Sequence, residues 1–542
     1  TRAAQDVTPL PSRAGTFLDD LQLPEPEAAK LSPLKIQSQQ LSELENQPAQ
    51  VMSALIAARG AGVFSATGPG DGPRFKLSQQ RLDRALAVVS GVSLTLSSKA
   101  SVLVPGLPAG FSLNLANNGT RPLTVNKLTL RGFDSERPLE IADQLPPGTD
   151  AVKTIEIVTP GNAGISLPSA DHLYDGRLFG QRFIATAEVE IDGAKFSVSS
   201  ISELDVAPAV EIRSITPAPF VFTPQTTGQD IQLTVQVHNH LARTFNGSLA
   251  ATAPHFFFSS GWGISDLAPG ETRAVTLSLH GEPSNAVRKV FTSHTDPHAI
   301  DITIRRADSQ EEVTRRALPG EYVKASVVKN LQVGFIPSFD QTLEWSLAAL
   351  GVAAQKLSPS DIQSGALKNY DSIIIDNRGY EAHPELIAAN DRLLAYVRDG
   401  GNLIVFYHKN NEWNPDPARN RPQLAPYPIT LGGERVTDEN APVRFLQPAH
   451  RLLNFPNRMR RSDFLGWVQE RGLYYPKEWD PHYAALLEMS DPGEPGLRGG
   501  LLVGTYGRGR YIYTSLVWYR ELRAGVPGAY RMLANMISYG KR

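Results

Sequence analysis

The spacing of apolar residues changes its rule once along this chain, near Asn330. Before it, apolar and polar residues alternate in short runs, as in Val92, Leu94 and Leu96 against Ser93, Thr95 and Ser97. After it, continuous apolar runs such as Ser372-Ile373-Ile374-Ile375 and Leu403-Ile404-Val405-Phe406 stand between helical stripes. Alternation is the mark of a strand buried on one face, and a continuous run that of a strand buried on both. A chain with both in this order predicts β-sandwiches first and a parallel α/β sheet last.

Four segments follow. Residues 1–90 read as an extended Pro- and Ala-rich stretch and a short helical spacer. Short helices are expected at Ile36–Leu44 and Ala49–Ala58, broken at Pro48, which lacks a donor. A third carries Leu77, Leu82, Ala85, Leu86 and Val89 on one face, with Ser78 near its start and Gly91 past its end. Residues 91–207 read as a first β-sandwich. Phe111, Leu113 and Leu115 alternate before Asn117-Asn118-Gly119, and Asp192-Gly193 joins two further alternating runs as a hairpin. Residues 208–329 repeat the pattern loosely as a second sandwich. In both, an Asn-rich turn precedes Pro-Gly and another strand: Leu145-Pro146-Pro147-Gly148 in the first, Leu267-Ala268-Pro269-Gly270 in the second. The sandwiches are expected to be immunoglobulin-like. Residues 330–542 read as a doubly wound α/β domain, with a helix over Pro384–Asp399, a hairpin around Gly507-Arg508-Gly509 and a last helix over Gly528–Ser538.

Composition closes off several chemistries. Of 542 residues, 53 are Lys or Arg and 55 are Asp or Glu, which leaves no basic excess for nucleic acid. No apolar run is long enough to span a membrane. There is no cysteine, so disulfides, thiolate metal sites and a cysteine nucleophile are excluded. No Gly-x-Ser-x-Gly elbow occurs either. The absent cysteine fits an extracytoplasmic location, periplasmic or secreted. The start at Thr1, without Met, leads to the expectation that an upstream part has been removed.

Candidate ligand-binding residues lie after the strand Leu403–Phe406, where doubly wound sheets take ligands. Tyr407 and His408 emerge there. The following stretch holds Trp413, Arg435, Asp438, Glu439, Trp467, Arg471 and Trp479. Tryptophans with carboxylates and arginines suit a sugar cleft. The competing reading is that the same residues brace long loops, with arginines paired to carboxylates. Adjacent Asp438 and Glu439 suggest acid–base work less than a solvated pair. His238 and His240 stand two apart at a strand end, a spacing open to metal ligation, but no third ligand is evident and a turn after the strand is the expected explanation. His294 and His298 flank Asp296 on an expected loop. Pro384-Glu385 fit a first helical turn.

The C-terminal phrases resemble a known family. They are Val333-Gly334-Phe335-Ile336-Pro337, Tyr370-Asp371-Ser372-Ile373-Ile374, Arg435-Val436-Thr437-Asp438-Glu439, Gly466-Trp467-Val468-Gln469-Glu470-Arg471-Gly472-Leu473-Tyr474, Asp491-Pro492-Gly493-Glu494 and Ala524-Gly525-Val526-Pro527-Gly528-Ala529-Tyr530-Arg531. They are similar to the glutamine-amidotransferase-like domain that ends long bacterial PIG-L (LmbE-like) N-acetylglucosaminyl de-N-acetylases. The resemblance implies a class I amidotransferase-like, flavodoxin-like fold. It implies a catalytic zinc domain upstream, with a His-Pro-Asp-Asp-Glu motif that this chain lacks; Ala382-His383-Pro384-Glu385-Leu386 echoes it without either aspartate. No catalytic residue and no metal ligand is carried over. The expected role is that of a non-catalytic accessory region, with no cofactor of its own and zinc only in the missing domain. Its expected partners are that upstream deacetylase domain and a glycan or cell-surface polysaccharide. The alternatives are a structural or assembly module with no ligand, and a metal-dependent hydrolase using the C-terminal loops.

Overall fold

The computed structural model describes residues 50–53, 55–56, 72–133, 135–166, 180–225, 230–252, 261–280 and 298–541. The helix expected at Ile36–Leu44, the extended start, and His294 with Asp296 lie outside them. The protein is multidomain and mostly β, with several sheets and a mixed α/β sheet at the C-terminal end. It divides into two compact units, Thr1–Ala209 and Val210–Arg542.

In the first unit, helix α1 (Gly72–Ser90) buries Leu82 and Leu86 and stops at Gly91, whose φ of 71° favours glycine. The helix begins six residues before Ser78, so that serine is interior and not a cap. Residues 50–53 and 55–56 are helical, within the second helix expected. The strands are β1 (Val92–Ser98), β2 (Val102–Leu103), β3 (Pro108–Asn117), β4 (Leu123–Gly132), β5 (Ser135–Pro138), β6 (Gln144–Leu145), β7 (Thr149–Val158), β8 (Gln181–Ile191) and β9 (Ala194–Val206). One sheet has the order β1-β3-β7 and the other β2-β9-β8-β4-β5, with β6 on β4. Leu94, Phe111, Leu113 and Leu115 of one pack with Leu128, Leu130, Phe183 and Val189 of the other. Asp192 (φ 49°) and Gly193 (φ 79°) make the β8–β9 turn, because a two-residue hairpin needs positive φ at both places. Val125 and Leu128 are three apart, not two, because β4 shifts register between Val125 and Lys127.

The second unit opens on the same plan. Its strands are β10 (Val210–Thr216), β11 (Phe220–Phe222), β12 (Asp230–Asn239), β13 (Phe245–Thr252), β14 (Trp262–Leu267), β15 (Thr272–His280), β16 (His298–Arg306) and β17 (Glu312–Tyr322). The sheets run β10-β12-β15 and β11-β17-β16-β13-β14. The short second strand of each plan, β2 or β11, lies parallel to the last, β9 or β17. Leu233, Val235, Val237, Leu249, Ile302 and Ile304 are fully buried. The loose sequence repeat is thus a repeat of topology.

The rest of this unit is built on a seven-stranded sheet. Its strands are β18 (Val333–Ile336), β19 (Ala354–Lys356), β20 (Ser372–Ile375), β21 (Asn402–Val405), β25 (Tyr483–Ala485), β27 (Leu501–Tyr506) and β28 (Gly509–Thr514). The order is β19-β18-β20-β21-β28-β27-β25. The first five are parallel, whereas β27 and β25 pair antiparallel, so the sheet is mixed and not the parallel sheet expected. The reason is the hairpin: β28 lies beside β21, and a tight turn returns β27 the other way. Side chains alternate between two cores. Phe335, Ile374, Ile404 and Ile512 face helices Thr342–Ala349 and Pro527–Ser538. Ile373, Ile375, Leu403 and Val405 face helix Asn390–Arg398. The helix expected from Pro384 opens as a 3-10 turn, Pro384–Ala389, and becomes α-helical at Asn390. Between β21 and β27 a long insertion holds the small pairs β22 (Ile429–Leu431) with β24 (Pro476–Trp479), and β23 (Arg444–Phe445) with β26 (Leu487–Glu488).

Candidate functional site

Helix Thr342–Ala349, which follows β18, packs on one face of the sheet. The helices that follow β19 and β20 pack on the other, through Ile362 and Leu393. The connections therefore change face between β18 and β20, the switch point at whose carboxyl edge doubly wound sheets take ligands. Pro337–Asp340 leaves β18 there, Asp376–Arg378 leaves β20, and Phe406–Lys409 leaves β21.

Asp376 is buried at this edge, 2 % exposed. It accepts the backbone N–H groups of Asn377 and Ser338 and has no ion-pair partner among the described residues. Burial pushes its carboxyl up to about 7, and Asp340 nearby adds to the rise. Asp340 itself pairs with Arg523.

Arg378 sits at a strand–turn–helix elbow with φ 57°. A side chain on Gly379 would come within 2.6 Å of Ile375, so the glycine allows the tight turn. The elbow residue is a guanidinium and not a nucleophile. Its Nε lies 2.8 Å from Glu412 Oε1, and its side chain also stands over Phe339, 5.2 Å from the ring centre. Phe339 is 63 % exposed.

Beside them stands an aromatic group. The Tyr407 ring lies 5.7 Å from that of Tyr519 and 6.4 Å from that of Tyr474, the latter within 6° of parallel. Tyr474 (φ 50°) and Gln469 (φ 72°) hold left-handed backbone, as Arg378 does. Such backbone in non-glycine residues persists only where the surroundings impose it, and it gathers at functional sites. Arg520 reaches Glu470 at 2.9 Å and lies over the Tyr519 ring. Burial raises the Glu470 carboxyl, against the pull of Arg520. Burial also raises Tyr407, so its phenol stays protonated at neutral pH.

The residues expected to line one cleft are divided among separate surroundings. Tyr407 belongs to one core, whereas His408 is fully buried beside Tyr380 and Trp413. His408 Nε2 accepts from Tyr380 N–H, and burial lowers its pKa to about 4, so it is a neutral packing residue. Trp413 is buried and donates to Ile429 O at 2.9 Å, in the core that faces Val405. Trp467 is buried in the opposite core, against Trp518. Trp479, at the end of β24, is half-buried against the core of Trp413. Trp413 lies in a short helix, Trp467 in irregular chain and Trp479 on β24, so no shared strand face brings the three rings into one cleft.

The expected arginine–carboxylate pairing is also corrected. Arg471 is buried, but it donates to the carbonyls of Ala441 and Phe464 and lies over Trp467. Backbone carbonyls of the surrounding loop come closer than any carboxylate, and the guanidinium satisfies them. Arg435 is exposed and acts on Glu470 only through its charge. Asp438 N–H donates to Asp491 and its side chain caps Asn440, while Glu439 is half-buried. Asp376, Arg378, Tyr519 and Phe339 were not singled out from sequence. The phrase Asp376-Asn377-Arg378-Gly379 after an isoleucine run carries the signal of an elbow.

No group of three or more His, Cys, Asp or Glu among the described residues is placed to hold a metal ion. No described helix is long and apolar enough to cross a membrane. No protein-family model matches the chain, and no curated protein does. Solved structures with partial likeness include a DUF4785 family protein from Legionella pneumophila (10 % identity, 41 % of this chain and 55 % of that one, TM-score 0.16). A cold-adapted beta-galactosidase from Rahnella sp. R3 gives 15 %, 39 %, 31 % and 0.23, and red sea bream transglutaminase 11 %, 47 %, 34 % and 0.21. The chain covers less than two thirds of each, and TM-scores this low carry no functional argument.

Proposed function

We propose that this chain is a non-catalytic accessory region that binds or positions N-acetylglucosamine-containing glycan for a separate deacetylase domain. In this reading the middle domains are immunoglobulin-like sandwiches and the last is an amidotransferase-like domain without its nucleophile. The strand order β19-β18-β20-β21-β28 supports the flavodoxin-like assignment. The observation that carries the functional reading is the carboxyl edge itself. It presents Phe339, Tyr474 and Tyr519 beside the ion pairs of Arg378 and Arg520, with an arginine at the elbow. Aromatic faces stack on sugar C–H groups, and fixed charges bind hydroxyls. The glycan is therefore assigned to this edge and not to the three tryptophans. The zinc and the catalytic motif belong to the deacetylase partner, and the pair works outside the cytoplasm.

A second reading, a structural or assembly module with no ligand, is favoured by Trp413 and Trp467, whose rings are buried and bonded to backbone carbonyls. Calorimetric titration of the full chain with N-acetylglucosamine oligosaccharides separates the two, with acetate and ammonia release followed in parallel. Saturable binding without either product is expected. No heat of binding favours the structural module, and turnover defeats both.

A further inference from the structure

The two sandwiches share one topology, so a polar group that only the second carries is not demanded by the fold. At the end of β12 and its neighbours the second sandwich has Glu211, His238 and Thr272 side by side across three strands. The matching places in the first sandwich are Ser93, Ala116 and Asp150. His240, just past the strand, corresponds to Asn118.

The two imidazoles touch, with ring centres 4.4 Å apart. His238 Nδ1 lies 2.7 Å from Thr272 Oγ1, and His240 Nε2 lies 2.8 Å from Glu211 Oε2. Each ring thus has one nitrogen committed to a protein oxygen, and the other makes no hydrogen bond among the described residues. A carboxylate on the far nitrogen fixes ring orientation and raises the basicity of the near one, as behind metal-bound histidines. We propose that His238 and His240 form a two-imidazole clip for a divalent transition-metal ion, oriented by Thr272 and Glu211. Imidazole donors suit zinc, copper and nickel. Two donors are fewer than the four of a closed structural site, so water or a partner's side chain completes the shell. Arg213, 3.5 Å from Glu211, opposes a bound cation and holds the affinity down. The clip lies on the β10-β12-β15 sheet and does not depend on the glycan reading.

The test is titration of the untagged full chain with zinc by calorimetry and with copper by electron paramagnetic resonance. The comparison is a double variant, His238→Ala with His240→Asn, which installs the residues of the first sandwich and so is expected to fold. Circular dichroism checks that it does. One metal equivalent, with two nitrogen donors to copper, is expected in the native chain and lost in the variant. Glu211→Gln is expected to weaken binding about tenfold or more, and Arg213→Ala to tighten it. Identical titrations of native chain and double variant overturn the proposal, as does binding that Glu211→Gln and Arg213→Ala both leave unchanged.

Discussion

Arg378 and Glu412 form a two-pronged ion pair at the carboxyl edge of the sheet, with Nε and an Nη of the arginine both on Glu412 Oε1 and Nε also on Oε2. The glutamate side chain is 5 % exposed and the arginine 24 %. Glu412 also accepts the Lys409 N–H, so one carboxylate closes the short helix that follows and fixes the elbow opposite.

Removing one member leaves a largely buried charge unpaired. Glu412→Gln is expected to lower stability by about 3 kcal/mol, the low end for such a break because Arg378 keeps some solvent. Arg378→Lys is expected to recover little, since an ammonium lacks the planar fork. Denaturant unfolding followed by tryptophan fluorescence measures both.

Asp376 gives the protein a pH dependence of definite sign. Its folded-state pKa, about 7, lies above its ordinary 3.8. Between those values the native state holds a proton that the unfolded chain has released. Stability therefore falls as pH rises from about 4 to about 7, and levels off above. Asp376→Asn is expected to raise the melting temperature relative to the native chain at pH 8 and to change it little at pH 4. A stabilisation that is equal at both pH values contradicts this.

Asn117 and Asn239 are the fully buried keystones of the two sandwiches. Asn117 donates to the carbonyls of Arg121 and Leu145, and Asn239 to those of Arg243 and Leu267. Their side-chain oxygens accept from Gly119 and Leu241. Every partner in the second set stands 122 residues after its counterpart (239 − 117). Alanine at either position orphans buried carbonyls and is expected to cost about 1–3 kcal/mol. Calorimetric scans of the two variants are expected to show separate losses, because the residues lie in different compact units.

The strands were legible because alternation and continuous apolar runs depend on burial that each strand carries in its own residues. Val92–Ser98, Gln181–Ile191 and Ser372–Ile375 fall where those patterns stand. The Asn-rich turns were legible too, although the bonds that make Asn117 and Asn239 equivalent join residues 28 apart and leave no local trace. The candidate site was only partly legible. The sheet edge was reached through Tyr407, but Trp413 and Trp467 look alike in sequence and enter opposite cores. Which face a loop tryptophan takes depends on how some 80 residues of insertion fold back, and no period encodes that. Asp376 was missed because a lone aspartate after a strand reads as a turn, and one of the N–H groups it accepts, that of Ser338, comes from another loop.

The most direct test of the account is the affinity of the full chain for N-acetylglucosamine oligosaccharides, measured with Tyr474→Ala, Tyr519→Ala and Trp479→Ala beside the native protein. The account predicts saturable binding that either tyrosine substitution weakens roughly tenfold or more, in line with the loss of a stacking face, and that Trp479→Ala leaves unchanged. Binding that depends on Trp479 and ignores both tyrosines, or no binding by the folded native chain, contradicts it.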